Sequence, residues 1–226
     1  MRDVARLTTV VFDLGGVLID WDPRHLYRQL FDDPDEMESF LAEVTTAEWN
    51  GYQDAGRPWA EAVEILVAEH PERRELIEAF HLRWPEMLAG EIPGTVGVLA
   101  DLRAADVRLV ALSNWSAEMF PVALARFDFL GWFEGIVISG EVGVNKPDRR
   151  IFEHLAERFG IEPEEAVFID DSAANTDAAT DLGFCAIQFT DATALRLALV
   201  RLGLLPDVAG AEWDNQTAGQ KSGKRS

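Results

Sequence analysis

Five short apolar runs alternate with stretches of helical periodicity, and this alternation limits what the chain can fold into. The runs are residues 8–13 (TTVVFD), 107–112 (VRLVAL), 135–138 (GIVI), 166–169 (AVFI) and 184–189 (FCAIQF). They are nearly continuous in apolar and β-branched residues, as strands buried on both faces require, and they show no wet/dry alternation. Apolar residues at helical spacing occupy 95–105, 149–159, 173–182 and 192–202, and the last three stretches stop at Gly160, Gly183 and Gly203. Glycine after a helix accepts the left-handed conformation that ends it. The βαβα order predicts an α/β fold, a doubly wound parallel sheet with right-handed crossovers.

Residues 23–84 break the pattern. They contain no strand signal but four helical stretches, at 24–31, 35–44, 60–69 and 73–84, with turns expected across NGYQDAGRP (50–58). An all-α insert after the first strand would form a second layer over the core, and the junction would make a natural pocket. The expected division is a core of residues 1–19 and 91–205, a helical cap of residues 20–90, and a polar, disordered tail at 206–226.

Charge excludes some partners. The chain has 226 residues, 40 acidic against 20 basic, for a net charge of −20. Such a surface repels nucleic acid and anionic membrane, so neither is expected as a partner. A small anionic substrate would need a local cation. The single cysteine, Cys185, precludes an internal disulfide and suits a reducing compartment. No apolar run is long enough to span a bilayer, and the N-terminal residues lack a signal-peptide pattern, so a cytoplasmic location is expected.

In open α/β sheets, ligands bind beyond the carboxyl ends of the strands. Polar residues stand at three such ends: Asp13, Ser113 with Asn114, and Asp170 with Asp171. Any one alone would suit a turn or a helix cap. Three at matching positions in chain order point to a site. Lys146 adds a fourth member. Only Lys146, Lys221 and Lys224 are lysines, so 17 of the 20 basic residues are arginine, and Lys146 is the sole lysine before the tail. A compact point charge there differs in kind from a planar guanidinium.

These residues lie in four segments, VVFDLGGVL (10–18), VALSN (110–114), VNKPDRRIF (144–152) and VFIDDSAANTDAATDLGF (167–184). Together they resemble the four motifs of the haloacid dehalogenase-like hydrolases, over nearly all of residues 8–205. The resemblance implies a Rossmann-like core, with a cap after the first motif. It also implies roles. Asp13 would attack phosphorus to form an aspartyl-phosphate that water hydrolyses. Ser113, and the backbone or side chain of Asn114, would bind the transferring phosphoryl group. Lys146 would neutralise charge shared by phosphate and Asp13. Mg²⁺ would be held by Asp13, the carbonyl of Gly15 and Asp171, with Asp170 in or near its shell. Asn175 would support the metal's waters or Lys146. The substrate would be a small phosphorylated metabolite.

The chain departs from the pattern at Gly15, where most phosphatases of this kind carry a second aspartate that donates and accepts the proton. General acid–base help is worth about 10²- to 10⁴-fold. Three readings stay open. Another acid could substitute, from Asp20, Asp22 and His25 near the hinge or Asp54 in the cap. The leaving group could need no proton, as in 2-haloacid dehalogenases. The protein could act by binding. The adjacent Asp170 and Asp171 favour phosphoryl chemistry, because two carboxylates beside Asp13 without a cation would raise its pKa. Trp115 is a candidate pocket wall, and Arg57 a candidate grip on a second anionic group.

Overall fold

A computed structural model describes residues 7–207. Most of the expected tail, residues 208–226, lies outside the described residues, as do residues 1–6.

The central sheet has five parallel strands: β1 (Thr9–Phe12), β4 (Arg108–Ser113), β5 (Gly135–Ile138), β6 (Ala166–Asp170) and β7 (Cys185–Gln188). Their order is β5-β4-β1-β6-β7. Two further strands, β2 (Ile19–Trp21) and β3 (Leu88–Glu91), pair antiparallel in a separate ribbon. The sheet is doubly wound, as the sequence predicts, and its winding reverses at β1, between β4 and β6. The carboxyl ends of those three strands therefore open on one crevice.

Alternation along each strand builds two apolar layers. Val10, Phe12, Leu109, Ala111, Val167 and Ile169 face one way, towards α6 (Pro93–Ala104) and α11 (Ala192–Arg201). Val11, Val110, Leu112 and Phe168 face the other way, towards α9 (Arg149–Phe159) and α10 (Ala173–Asp181). The sequence runs look continuously apolar because both faces are covered. Helix α9 begins on an Asp148 side chain that accepts from the Arg150 N–H, and it stops at Gly160 in the left-handed region. Gly183 and Gly203 also have positive φ, just past α10 and α11.

The intervening segment holds α1 (Arg24–Tyr27), α2 (Pro34–Glu43), α3 (Ala47–Asp54), α4 (Trp59–Glu69) and α5 (Arg74–Leu82). Trp59, fully buried, stacks on Phe80 and His81 and meets Trp49 edge-on. Its indole N–H reaches across to Ser116 Oγ at 3.0 Å.

Two expectations need correction. The sequence reading puts turns across residues 50–58, yet residues 50–54 belong to α3, and only residues 55–58 form the turn. Thr46 starts this helix by accepting from the Trp49 N–H. Glycine is a poor helix former, so Gly51 favours a turn by propensity. Its carbonyl instead accepts from Asn145 Nδ2 at 2.6 Å, and a Cβ there would lie 3.7 Å from the same nitrogen. The insert is also not helical at its edges. Residues 20 and 90, its expected limits, both fall in the β2–β3 ribbon. Two further short helices, α7 (Phe120–Arg126) and α8 (Ser139–Val142), follow β4 and β5.

Candidate active site

The first turn after β1 explains its two glycines differently. Ile19 closes the turn, accepting from Gly16 N and donating to Leu14 O. Gly16 sits at φ +73°, and a Cβ on it would lie 2.6 Å from Asp171 Oδ2. Only glycine lets Asp171 approach this backbone. At Gly15 the φ is not positive, and a Cβ would meet nothing within 4 Å. The fold therefore leaves room for a side chain at Gly15. Its carbonyl accepts no hydrogen bond in the turn.

Asp13 follows the last residue of β1 and is nearly buried. Its Oδ1 takes three donors: the Leu14 N–H at 2.7 Å, Ser113 Oγ at 2.7 Å and Lys146 Nζ at 3.0 Å. Oδ2 takes none from the described residues. Burial pushes the Asp13 carboxyl up to about 6, against the lowering pull of Lys146, and the charge of Asp170 adds to the rise.

Lys146 Nζ is enclosed by three acceptors, Asp13, Leu112 O at 2.9 Å and Asp170 Oδ2 at 2.6 Å. Burial disfavours its charge, but the two carboxylates outweigh this and raise its pKa. Asp170 is fully buried and fully engaged. Beyond Lys146 it accepts from the Ser172 N–H and from both-oxygen contacts of Asn175 Nδ2, at 3.0 and 3.1 Å. Asn175 therefore orients Asp170, and reaches Lys146 only through it. Asp171 stands at the exposed side, its pKa raised by desolvation and the neighbouring Asp170.

Oxygens of Asp13, Asp170 and Asp171 lie within 4.8 Å of one another. With Asp13 Oδ2 free, these carboxylates are a hard-oxygen donor set that suits Mg²⁺. Asp170 is the member whose oxygens are already committed, to Lys146, Ser172 and Asn175.

The Asn114 side chain is engaged within the site. It forms a reciprocal pair with the Lys146 backbone, donating to the carbonyl at 3.0 Å and accepting from the N–H at 2.8 Å. It locks the loop that carries Lys146. Ser113 likewise holds Asp13. Arg57 is spent inside the helical unit, on Gln53 Oε1 and Trp49 O. Trp115 lines a cavity with Gly15, Trp21, Asn50, Asp54, Trp84 and Asn114. Trp21, Trp84 and Asn50 were not singled out from sequence as wall residues. Asn50 reaches the wall because α3 sets it one helical turn before Asp54.

Comparison with known proteins agrees with the fold. The model of a haloacid dehalogenase-like hydrolase matches residues 7–183. The chain is 27% identical over 186 residues, 78% of its length, to the phosphorylated carbohydrates phosphatase of Thermotoga maritima, covering 82% of that protein. It is 24% identical to drimenol cyclase drtB of Aspergillus calidoustus over 90% of its own length, but spans 38% of that longer protein. A haloacid dehalogenase-family enzyme of Bacteroides thetaiotaomicron, crystallised with magnesium and inorganic phosphate, superposes with a TM-score of 0.62 at 24% identity, over 82% of this chain and 95% of that one. With the family's motifs converging on one crevice and its model matching most of the sequence, the chain belongs to the haloacid dehalogenase-like hydrolases.

Proposed function

We propose that this hydrolase is a phosphatase of small phosphorylated metabolites, working through an aspartyl-phosphate on Asp13 with Mg²⁺ as cofactor. The observation that carries the reading is the state of Asp13, with one oxygen fixed by three donors and the other free, in a cluster with Asp170 and Asp171. A carboxylate so fixed is preorganised for in-line attack on phosphorus. Asp13, Gly15 and Asp171 would hold the Mg²⁺, which when bound supplies positive charge against the phosphoryl oxygens. Lys146 lowers the repulsion between Asp13 and an approaching dianion, and Asp170 and Asn175 keep Lys146 in place. The main chain at Asn114 would meet the phosphoryl group.

Residues 20–90 would act as a cap over the core formed by residues 1–19 and 91–205. The leaving group would then occupy the cavity between them. Three polar atoms on its lining residues, Trp21 Nε1, Trp115 Nε1 and Asn50 Oδ1, are buried without a hydrogen-bond partner. Leaving such atoms unpaired costs about 1–3 kcal/mol each. That favours an oxygen-bearing leaving group over a hydrocarbon one.

The paired carboxylates weigh against dehalogenation, which needs no cation. The test is hydrolysis by purified protein of a panel of phosphorylated metabolites and 2-haloacids, with Mg²⁺ or with chelator. Phosphate release that depends on Mg²⁺ supports the reading. Halide release undiminished in chelator would establish the dehalogenase instead, and a folded protein that turns over nothing would leave a binding role.

A further inference from the structure

With glycine at position 15, the proton donor must come from elsewhere, and the cavity distinguishes among the acids within reach. Asp20 is paired with His25 Nε2 at 2.9 Å. Asp22 accepts from the backbone and guanidinium of Arg24. All three are turned to hinge contacts, and none lines the cavity. Asp54 does line it, together with Gly15.

Asp54 is also a built feature. It ends α3, one turn after Asn50, whose Nδ2 donates to Asp54 Oδ2 at 2.8 Å. The Ser116 N–H, from the loop after β4, points at the same carboxylate. Its own carbonyl accepts from Ser139 Oγ at 2.5 Å. Asn50 and the Ser116 backbone thus bear on the Asp54 carboxyl, Ser139 holds its main chain, and the residue shares its cavity with Gly15.

We propose that Asp54 is the general acid–base of this enzyme, supplied by the helical unit in place of a second carboxylate beside Asp13. This rests on the phosphatase reading. In the first step an Asp13 oxygen bonds to phosphorus while the phosphorus–oxygen bond to the leaving group breaks. The Asp54 proton passes to that departing oxygen. In the second step water attacks phosphorus, Asp54 takes the water's proton, and the Asp13–phosphorus bond breaks to release phosphate. Asp54 ends protonated, ready for the next turnover. Burial, opposed by the Ser116 N–H and reinforced by the Asp13 charge, holds its carboxyl at about 7. A group poised there can both give and take a proton near neutrality. Asp13 is the charged group bearing on it; its other neighbours, Asn50, Asn114, Trp115, Ser116 and Ser139, are neutral.

The experiment compares wild type with Asp54→Asn on an alkyl phosphate and on p-nitrophenyl phosphate, whose leaving group needs no proton. Wild type must first release phosphate from some ester with Mg²⁺; if it releases none, the phosphatase reading fails and this one with it. Given that activity, Asp54→Asn is expected to lose about 10²- to 10⁴-fold in kcat on the alkyl ester. With p-nitrophenyl phosphate it should give a burst of one equivalent of p-nitrophenol and then turn over slowly, with phosphorylated protein visible by intact mass. The alkaline limb of the wild-type pH profile should vanish. Gly15→Asp in the Asp54→Asn background should restore part of the alkyl-ester rate, because a side chain at Gly15 meets no obstacle. Equal losses on both esters without a burst, in a variant that melts as wild type does, would overturn the assignment. If Asp54→Asn does not fold, Asp54→Glu carries the test: an unaltered pH profile overturns the proposal, and a shifted alkaline limb supports it.

Discussion

Lys146 Nζ lies 3.0 Å from Asp13 Oδ1 and bridges it to Asp170 Oδ2, with the lysine side chain and Asp170 shut off from solvent. One cation thus serves two carboxylates in a buried space. Removing one member of a buried pair leaves the other charge uncompensated, at a cost of about 3–5 kcal/mol. Lys146→Met should therefore both abolish phosphate release and lower the urea midpoint sharply. Lys146→Arg should fail as well, since a planar fork does not fit three acceptors arranged around a point. Urea unfolding of Lys146→Met within 1 kcal/mol of wild type (roughly the scale of an exposed pair) would show that the bridge does not hold the fold.

Asp13 and Asp54 are both raised from 3.8 by burial, to about 6 and about 7. A carboxyl that keeps its proton longer when folded stabilises the fold below its unfolded pKa. That contribution is lost as pH rises through the folded value. The metal-free protein should lose stability from these two groups between about pH 4 and pH 7. Asp13→Asn removes the charge that is costly there, while Lys146 keeps Asp170 and Leu112 O as partners. The variant should be inactive yet melt higher than wild type at pH 7 without metal, by roughly 2–4 °C for each kcal/mol gained. At pH 4 the advantage should disappear. Melting curves of both proteins at the two pH values decide this, and a lower melting point for Asp13→Asn at pH 7 would contradict it.

Much of this arrangement is legible in the sequence because strand ends carry it. Asp13, Ser113 and Asp170 each follow or close an apolar run, and a parallel sheet brings such ends together whatever the loops do. Lys146 stood out through arginine's dominance elsewhere. What the sequence hides is how side chains divide the work. Nothing in VALSN says that the Asn114 side chain would clamp the Lys146 backbone, since that depends on two loops 32 residues apart meeting at 3.0 Å. The helical unit was harder still. Gly51 reads as a breaker by propensity, yet it lies inside α3, whose packing and bond to Asn145 override propensity. The β2–β3 ribbon leaves no such signal because its strands, IDW and LAGE, are half-exposed and lack a continuous apolar run.

Gly16 gives a way to disturb the metal site through the backbone. An alanine there would adopt a left-handed conformation, at about 1–2 kcal/mol, and press its Cβ on Asp171 Oδ2. The Asp171 carboxylate can yield by turning away, so the fold should survive while the proposed Mg²⁺ site does not. Saturating Mg²⁺ should raise the wild-type melting point, by the equivalent of about 2.7 kcal/mol at one hundred times Kd. Gly16→Ala should need far more Mg²⁺ for any shift. Gly160→Ala is the control, because its φ is +58° and no atom stands near its Cβ. It should show a similar backbone cost and a wild-type Mg²⁺ response. If both variants respond to Mg²⁺ like wild type, Asp171 is not a ligand.

Helix α3 carries Asn50 and Asp54 to the cavity, and two core residues hold it there. Asn145 Nδ2 donates to Gly51 O at 2.6 Å, and Ser139 Oγ donates to Asp54 O at 2.5 Å. Asn145 is next to Lys146, so the loop that positions the cation also fastens the helix above it. Each such bond contributes only about 0.5–1.5 kcal/mol to global stability. Its loss should act on the placement of α3 far more than on the fold. Asn145→Ala should melt within a few degrees of wild type. Amide hydrogen exchange across α3 should nonetheless accelerate, while exchange in β1 and β6 stays slow. If α3 delivers the proton donor, kcat for an alkyl phosphate should fall about tenfold or more. Release of p-nitrophenol in the first turnover should fall less. Unchanged exchange in α3, together with equal losses on both esters, would mean that the helix is held by its own packing around Trp59 and that Asn145 serves only the loop of Lys146.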